Sequence, residues 1–101
     1  MVEIITDTQS ISISVIQHAD CKILNLVYPA SIEPEEEFDI TYDCKNNGVG
    51  DTCFGTLKGG STIYDHWEET IGSGGTVSKV VNFPDGITEN LNATLDVGYV
   101  K

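Results

Sequence analysis

The sequence predicts an all-β protein, an antiparallel β-sandwich of about seven to eight short strands. In several windows apolar side chains alternate with polar ones, which is the period of a half-buried strand. Glycine- and proline-containing turn signals separate these windows at intervals of roughly 8 to 15 residues. No window carries a sustained apolar stripe at helical spacing. An up-and-down β-barrel is the alternative architecture.

The clearest alternation places five apolar side chains on one face of residues 91–99. These are Leu91, Ala93, Leu95, Val97 and Tyr99. Residues 38–45 alternate in the same way, and so do residues 77–83, although Lys79 interrupts the apolar face of the latter. Each of these three windows is therefore predicted to be a strand with one buried face.

Three further strands are expected from weaker patterns. Residues 23–28 are almost uniformly apolar, as in a strand that is covered on both faces. Residues 52–58 and 62–68 give the other two strands. In the last of these we expect Ile63 and Trp67 on the core side and His66 facing outward.

The N-terminal segment, residues 1–20, differs from the rest of the chain in composition. It is rich in Ile, Ser and Thr and contains neither glycine nor proline. Its first ten residues include Glu3 and Asp7 and no lysine, so we do not expect a signal peptide there. The segment is either the first strand of the sandwich or an arm that pairs with a neighbouring subunit's sheet edge. Residues 21–101 form the sandwich itself.

The charge of the chain excludes several classes of partner. Sixteen acidic residues face five lysines, arginine is absent, and the formal net charge is −11. Binding to nucleic acid depends on clustered lysine and arginine, so no nucleic-acid partner is expected. No apolar run approaches the roughly 20 residues of a membrane helix, and we expect no membrane insertion.

The chain from residue 22 onward resembles the cell-adhesion-related domains known as CARDB. The resemblance is carried by Val27-Tyr28-Pro29, by the alternating residues 38–41, by Asn46-Asn47-Gly48 and by Gly74-Gly75-Thr76. Glu35 departs from the pattern, since these domains commonly have a glycine there. The resemblance implies an immunoglobulin-like sandwich and a non-catalytic adhesive or structural role. It assigns no functional residue.

The cysteines raise the question of a disulfide. Cys44 and Cys53 both share the inward parity of their predicted strands, so they either form a disulfide across the core or remain as two buried free thiols. Cys21 is expected to be a small apolar residue at the start of a strand. The absence of a Cys-x-x-Cys motif argues against a bound metal.

Two other features could form binding sites. Trp67 could stack on a sugar, but a tryptophan buried in the sandwich is the commoner outcome. The acidic run around Glu33 to Asp39 could hold calcium, yet it lacks the Asp-x-Asp-x-Asp-Gly pattern of a calcium loop. We therefore expect no catalytic residue, no cofactor and no metal ligand.

The sequence therefore favours a non-enzymatic structural or interaction module. We expect it to belong to a larger surface assembly, as a virion decoration or tail protein or as a cell-surface adhesion module. The partner would be another protein or further copies of the chain, with the N-terminal segment as the candidate docking strand. The expected location is a virion surface or the extracellular face of a cell. The alternative is a small-ligand module that binds a glycan or calcium.

Overall fold

A computed structural model describes residues 2–13, 15 and 17–101. These residues form six strands and no helix. The strands are β1 (Cys21–Val27), β2 (Phe38–Asn46), β3 (Asp51–Gly59), β4 (Thr62–Ile71), β5 (Thr76–Phe83) and β6 (Thr94–Tyr99). The all-β prediction is confirmed, with six strands in the described part of the chain where seven to eight were expected.

The strands form two three-stranded antiparallel sheets. The first, sheet A, has the order β1-β2-β5, and the second, sheet B, has the order β4-β3-β6. The central strands β2 and β3 show the clearest alternation of buried and less buried residues. The outer strands of each sheet therefore leave the edges at which further backbone could pair.

The core lies between the sheets in two clusters. The first is built from Ala19, Cys21, Cys44, Cys53 and Ile71, and the second from Ile40, Leu57 and Val81. Both clusters join side chains of β2 to side chains of β3. Burying these apolar groups between the two layers is the main force that holds the sheets together.

Strand β1 differs from the expectation that both of its faces would be covered. It lies at the edge of sheet A, and Leu24, Leu26 and Val27 are exposed. Its pairing with β2 becomes irregular between Leu24 and Val27, where Asn25 has a φ of 54°. An apolar run in a single sequence does not distinguish a central strand from such an edge strand.

Strand β4 corrects the prediction that Ile63 faces the core. The β3–β4 register shifts between Leu57 and Lys58, and Ile63 is 65% exposed. A bulge of this kind inserts one extra residue and reverses the side-chain parity beyond it. Tyr64 instead lies beside Phe83, with 5.5 Å between the ring centroids. Trp67 packs against the first core cluster, as predicted.

The two ends of the chain differ from the expected strands. Strand β6 begins at Thr94, and Leu91 lies in the preceding connection, where it packs against the second core cluster. Residues 2–13 belong to neither sheet. Met1, Ser14 and Ile16, part of the predicted N-terminal strand or arm, lie outside the described residues. Within the described ranges, no helix is long and apolar enough to cross a membrane.

Candidate functional site

The most unusual surface feature is the exposed apolar stretch at residues 2–13, here called the arm. Its large apolar side chains are between 80% and 87% exposed, and they are Val2, Ile4, Ile5, Ile11 and Ile13. Exposed isoleucines and valines in such density are uncommon on a protein that works alone, and they indicate a surface that binds something else.

The residues that follow the arm are tied to the body. The carbonyl of His18 accepts a hydrogen bond of 3.2 Å from the Val49 amide, and the His18 ring stacks on Tyr99 with 4.3 Å between centroids. The carbonyl of Asp20 accepts from the Asn47 amide at 2.8 Å. Ala19 is fully buried. The chain that carries the arm is therefore anchored at a fixed point, His18, beside the last residue of β6.

Asn46 organises this fixed point from inside the protein. Its side chain is fully buried, and its carbonyl oxygen accepts from the amides of Asp20 and Gly48, each at 2.9 Å. Its amide nitrogen donates to the carbonyls of Val49 and Ile71 at 2.8 and 2.9 Å. A buried amide with all its main polar groups satisfied is a strong local constraint. Sequence reasoning assigned Asn46 only to a turn.

An open cleft lies at the opposite end of β6. It has a volume of about 580 Å³ and lies between the β1–β2 and β5–β6 connections. Its lining includes Tyr28, Phe38, Ile40 and Leu91, of which the last three belong to or pack on the second core cluster. Tyr28 is 62% exposed. The cleft therefore gives access to apolar groups that continue into the core.

The outer edge of β6 is unpaired. Among the described residues, β6 pairs only with β3, and Val100 continues that pairing because its amide N–H donates a 2.9 Å hydrogen bond to the Thr52 carbonyl. Leu95 and Val97 point toward the interior and are partly buried. This edge thus combines available backbone groups with a partly covered apolar face.

On the opposite side of the molecule, where β4 approaches β5, Lys79 of β5 contacts two side chains of β4. Lys79 lies 3.1 Å from the Glu69 carboxylate and 4.4 Å above the Trp67 ring. The Trp67 indole donates a 2.6 Å hydrogen bond to the Tyr42 hydroxyl. Gly55 leaves room for the indole, because a Cβ there would collide with it. The lysine that interrupts the β5 pattern thus bridges β5 and β4, beside the Trp67–Tyr42 hydrogen bond that also joins the two sheets.

The three cysteines meet in the core, but the disulfide differs from the expected one. Cys53 is bonded to Cys21, with 6.2 Å between their Cα atoms, and Cys44 is a buried free thiol. The sequence left open a Cys44–Cys53 bond or two buried free thiols. The bond to Cys53 comes instead from Cys21, which was expected to be only a small apolar residue. The register explains how Cys21 can compete with Cys44 for Cys53. Cys21 pairs with Asn46 on β2, which lies two residues from Cys44 and on the same face.

The sulfur atoms of Cys21, Cys44 and Cys53 all lie within 4.8 Å of one another. Burial raises the pKa of the Cys44 thiol above its ordinary value. The thiol is therefore protonated at neutral pH and packs as a small apolar group. Strand parity in the sequence predicted that Cys44 and Cys53 face the core. It did not place Cys21 with them, because the three residues come from three different strands and their proximity depends on strand pairing.

The remaining candidate residues do not assemble into a reactive site. His66 is exposed, as expected, and its ring shares a 2.7 Å hydrogen bond with the Thr56 hydroxyl. Within the part of the chain that the structure describes, the cysteines are the only set of three or more potential metal ligands whose donor atoms converge. The carboxylates of the acidic run, which includes Glu33 and Asp39, do not converge in this way.

Comparisons of the chain with protein-family models, with curated proteins and with solved structures each find no match. Interpretation of the site therefore depends on its own geometry and chemistry.

Proposed function

We propose that this protein is a non-enzymatic structural or interaction module of a larger surface assembly. The observation that carries the proposal is the arm, in which five large apolar side chains are at least 80% exposed. Ordering such a segment against a partner would remove apolar surface from water at about 25 cal/mol per Å². A virion component and a cell-surface adhesion module both fit this role.

The proposed architecture is an immunoglobulin-like sandwich of the CARDB kind. Glu35 supports it, since its φ of 63° lies in the left-handed region that favours glycine. Glycine is the residue that the resembled domains commonly carry at that position. The carbonyl of Ile87 accepts a 3.0 Å hydrogen bond from the Glu35 amide, which fixes this turn against the β5–β6 connection.

The charge of the chain supports an exposed position in such an assembly. A net charge of −11 keeps the body of the protein soluble and limits non-specific contacts. Residues 8–17 carry no charged side chain. The arm is thus the part of the chain that is best suited to contact another protein.

The test is to follow the chain in extracts of the cells or particles that produce it. Sedimentation under native conditions should place it in an assembly of defined size, well above the 10.9 kDa of one chain. In parallel, the melting temperature of the purified chain is measured with calcium and with a panel of glycans. A single chain in the extract whose melting temperature rises with one of these ligands would overturn the proposal and establish a small-ligand module.

A further inference from the structure

We propose that the arm of one copy adds as a strand to the outer edge of β6 in a second copy and covers the cleft there. The inference rests on the proposed function and identifies the partner as another molecule of the same chain. In strand addition, backbone hydrogen bonds supply affinity, and pockets for alternate side chains supply specificity.

The acceptor in this contact is the β6 edge together with the cleft. The outer backbone groups of β6 have no partner among the described residues. The cleft begins at Leu91 and Asn92, directly before β6, so a strand laid along this edge would extend over it. Phe38 and Ile40 line the cleft and offer an apolar surface to inward-facing side chains of the added strand.

The other edges are less suitable for strand addition. The β4–β5 side is bridged by Lys79, which contacts both Glu69 and Trp67. The β1 edge is irregular from Leu24 to Val27, and such irregularity protects an edge from pairing. Strand β6 lies next to β1 of the other sheet, but among the described residues no side-chain hydrogen bond or ion pair joins these two strands. Asp96 is the only charged residue of β6.

The donor has the properties of a strand that lacks a sheet. Ile11 and Ile13 alternate with Ser10 and Ser12, so one face would be apolar and the other polar. At about 3.3 Å per residue, residues 2–13 span about 40 Å, roughly twice the length of a six-residue strand such as β6. The uncharged residues 8–13 can approach a strongly acidic body with little electrostatic repulsion.

The arm is poorly placed to pair with β6 of its own molecule. His18, five residues after the arm, is held beside Tyr99, the last residue of β6, by its stacked ring. Pairing with β6 of its own molecule would require the chain to reverse direction somewhere between the arm and β1. Glycine and proline, which make tight reversals easiest, are absent from residues 1–20. Pairing with β6 of a second copy needs no such reversal. The resulting head-to-tail contact extends into a ring or a filament.

The experiment compares two double variants of the full chain that add equal charge to opposite faces of the arm. In one, Ile11→Asp and Ile13→Asp place carboxylates on the apolar face. In the matched control, Ser10→Asp and Ser12→Asp place them on the polar face. Light scattering after size exclusion should give masses of two or more copies for the natural chain and the control. The isoleucine variant should give the mass of one chain.

Hydrogen exchange then locates the contact. In the assembled natural chain, amides of the arm and of β6 should exchange at least about tenfold more slowly than in the isoleucine variant. The inference is overturned if the purified natural chain stays monomeric up to about 1 mM, if both variants behave alike, or if protection appears at another edge. A monomeric purified chain that nevertheless sediments in an assembly in native extracts would overturn only the self-pairing, and the proposed function would stand.

Discussion

At the residue scale, Cys53 has two sulfur neighbours and is bonded to one of them. Cys21 and Cys44 both lie close enough to Cys53 that removing one leaves the other as a partner. Parity in the sequence correctly put Cys44 and Cys53 on inward faces. It could not reveal that Cys21, at the start of an edge strand, is the residue whose sulfur is bonded to Cys53.

We expect the variant Cys21→Ala to form a Cys44–Cys53 disulfide when oxidised. Closing the shorter loop restrains the unfolded chain less than the natural bond between residues 32 positions apart, by about 1 kcal/mol of unfolding free energy. Peptide mapping without reduction identifies the bond, and urea unfolding measures the difference in stability.

The control for this prediction is Cys44→Ala, which should retain the Cys21–Cys53 bond. If Cys21→Ala keeps two free thiols under conditions that fully oxidise the control, the sulfur of Cys44 is not an available partner and the prediction is wrong.

At the scale of the element, one carboxylate connects all three strands of sheet A. Asp43 on β2 accepts a 2.8 Å hydrogen bond from Asn25 on β1 and a 2.7 Å bond from Ser78 on β5. These two bonds hold the pKa of Asp43 below its ordinary value of 3.8. The ionised carboxylate therefore favours the folded state at any pH above 3.8, and this contribution disappears as the pH falls through the lowered pKa.

We expect Asp43→Asn to reduce the stability of the protein near neutral pH and to lose this disadvantage in acid. Urea unfolding of the variant and the natural chain, measured from neutral pH to below pH 3.8, tests the expectation. Asp7→Asn, which removes the same charge from an exposed position in the arm, is the matched control. A gap between natural chain and Asp43→Asn that stays constant with pH would contradict the proposed role of the carboxylate.

The sequence predicted where most strands lie along the chain, but it did not predict which strands are neighbours or which side chains are exposed. Alternation correctly located β2 and β5, and weaker patterns located β3 and β4. The exposure of Ile63 could not be predicted, because the bulge that reverses its parity depends on pairing with β3. The cleft and the open edge of β6 could not be predicted from the sequence either, because both depend on which strands become neighbours.

At the scale of the whole molecule, the net charge of −11 opposes association of copies with one another. If copies assemble through the uncharged part of the arm, residues 8–13, salt should strengthen the assembly by screening the repulsion between the acidic bodies. Raising the ionic strength from about 0.01 M to about 0.15 M shortens the screening length from about 30 Å to about 8 Å. We therefore expect the assembly to be more stable in the higher salt, so that it persists down to lower protein concentrations before it dissociates.

Sedimentation at a series of concentrations in each buffer measures this effect. The Ser10→Asp and Ser12→Asp control chain, with two more negative charges, should need more salt than the natural chain to reach the same degree of assembly. Dissociation on adding salt would instead mean that ion pairs hold the copies together, which an apolar strand contact does not predict.

The position of the disulfide has a mechanical consequence. Cys21 is the first residue of β1 and the first covalent cross-link that tension on the N-terminal segment would reach. A pull transmitted through this segment would pass across the bond to Cys53, in the central strand of the opposite sheet. The load would thus bypass the hydrogen bonds between β1 and β2, which would otherwise open one after another from the loaded end.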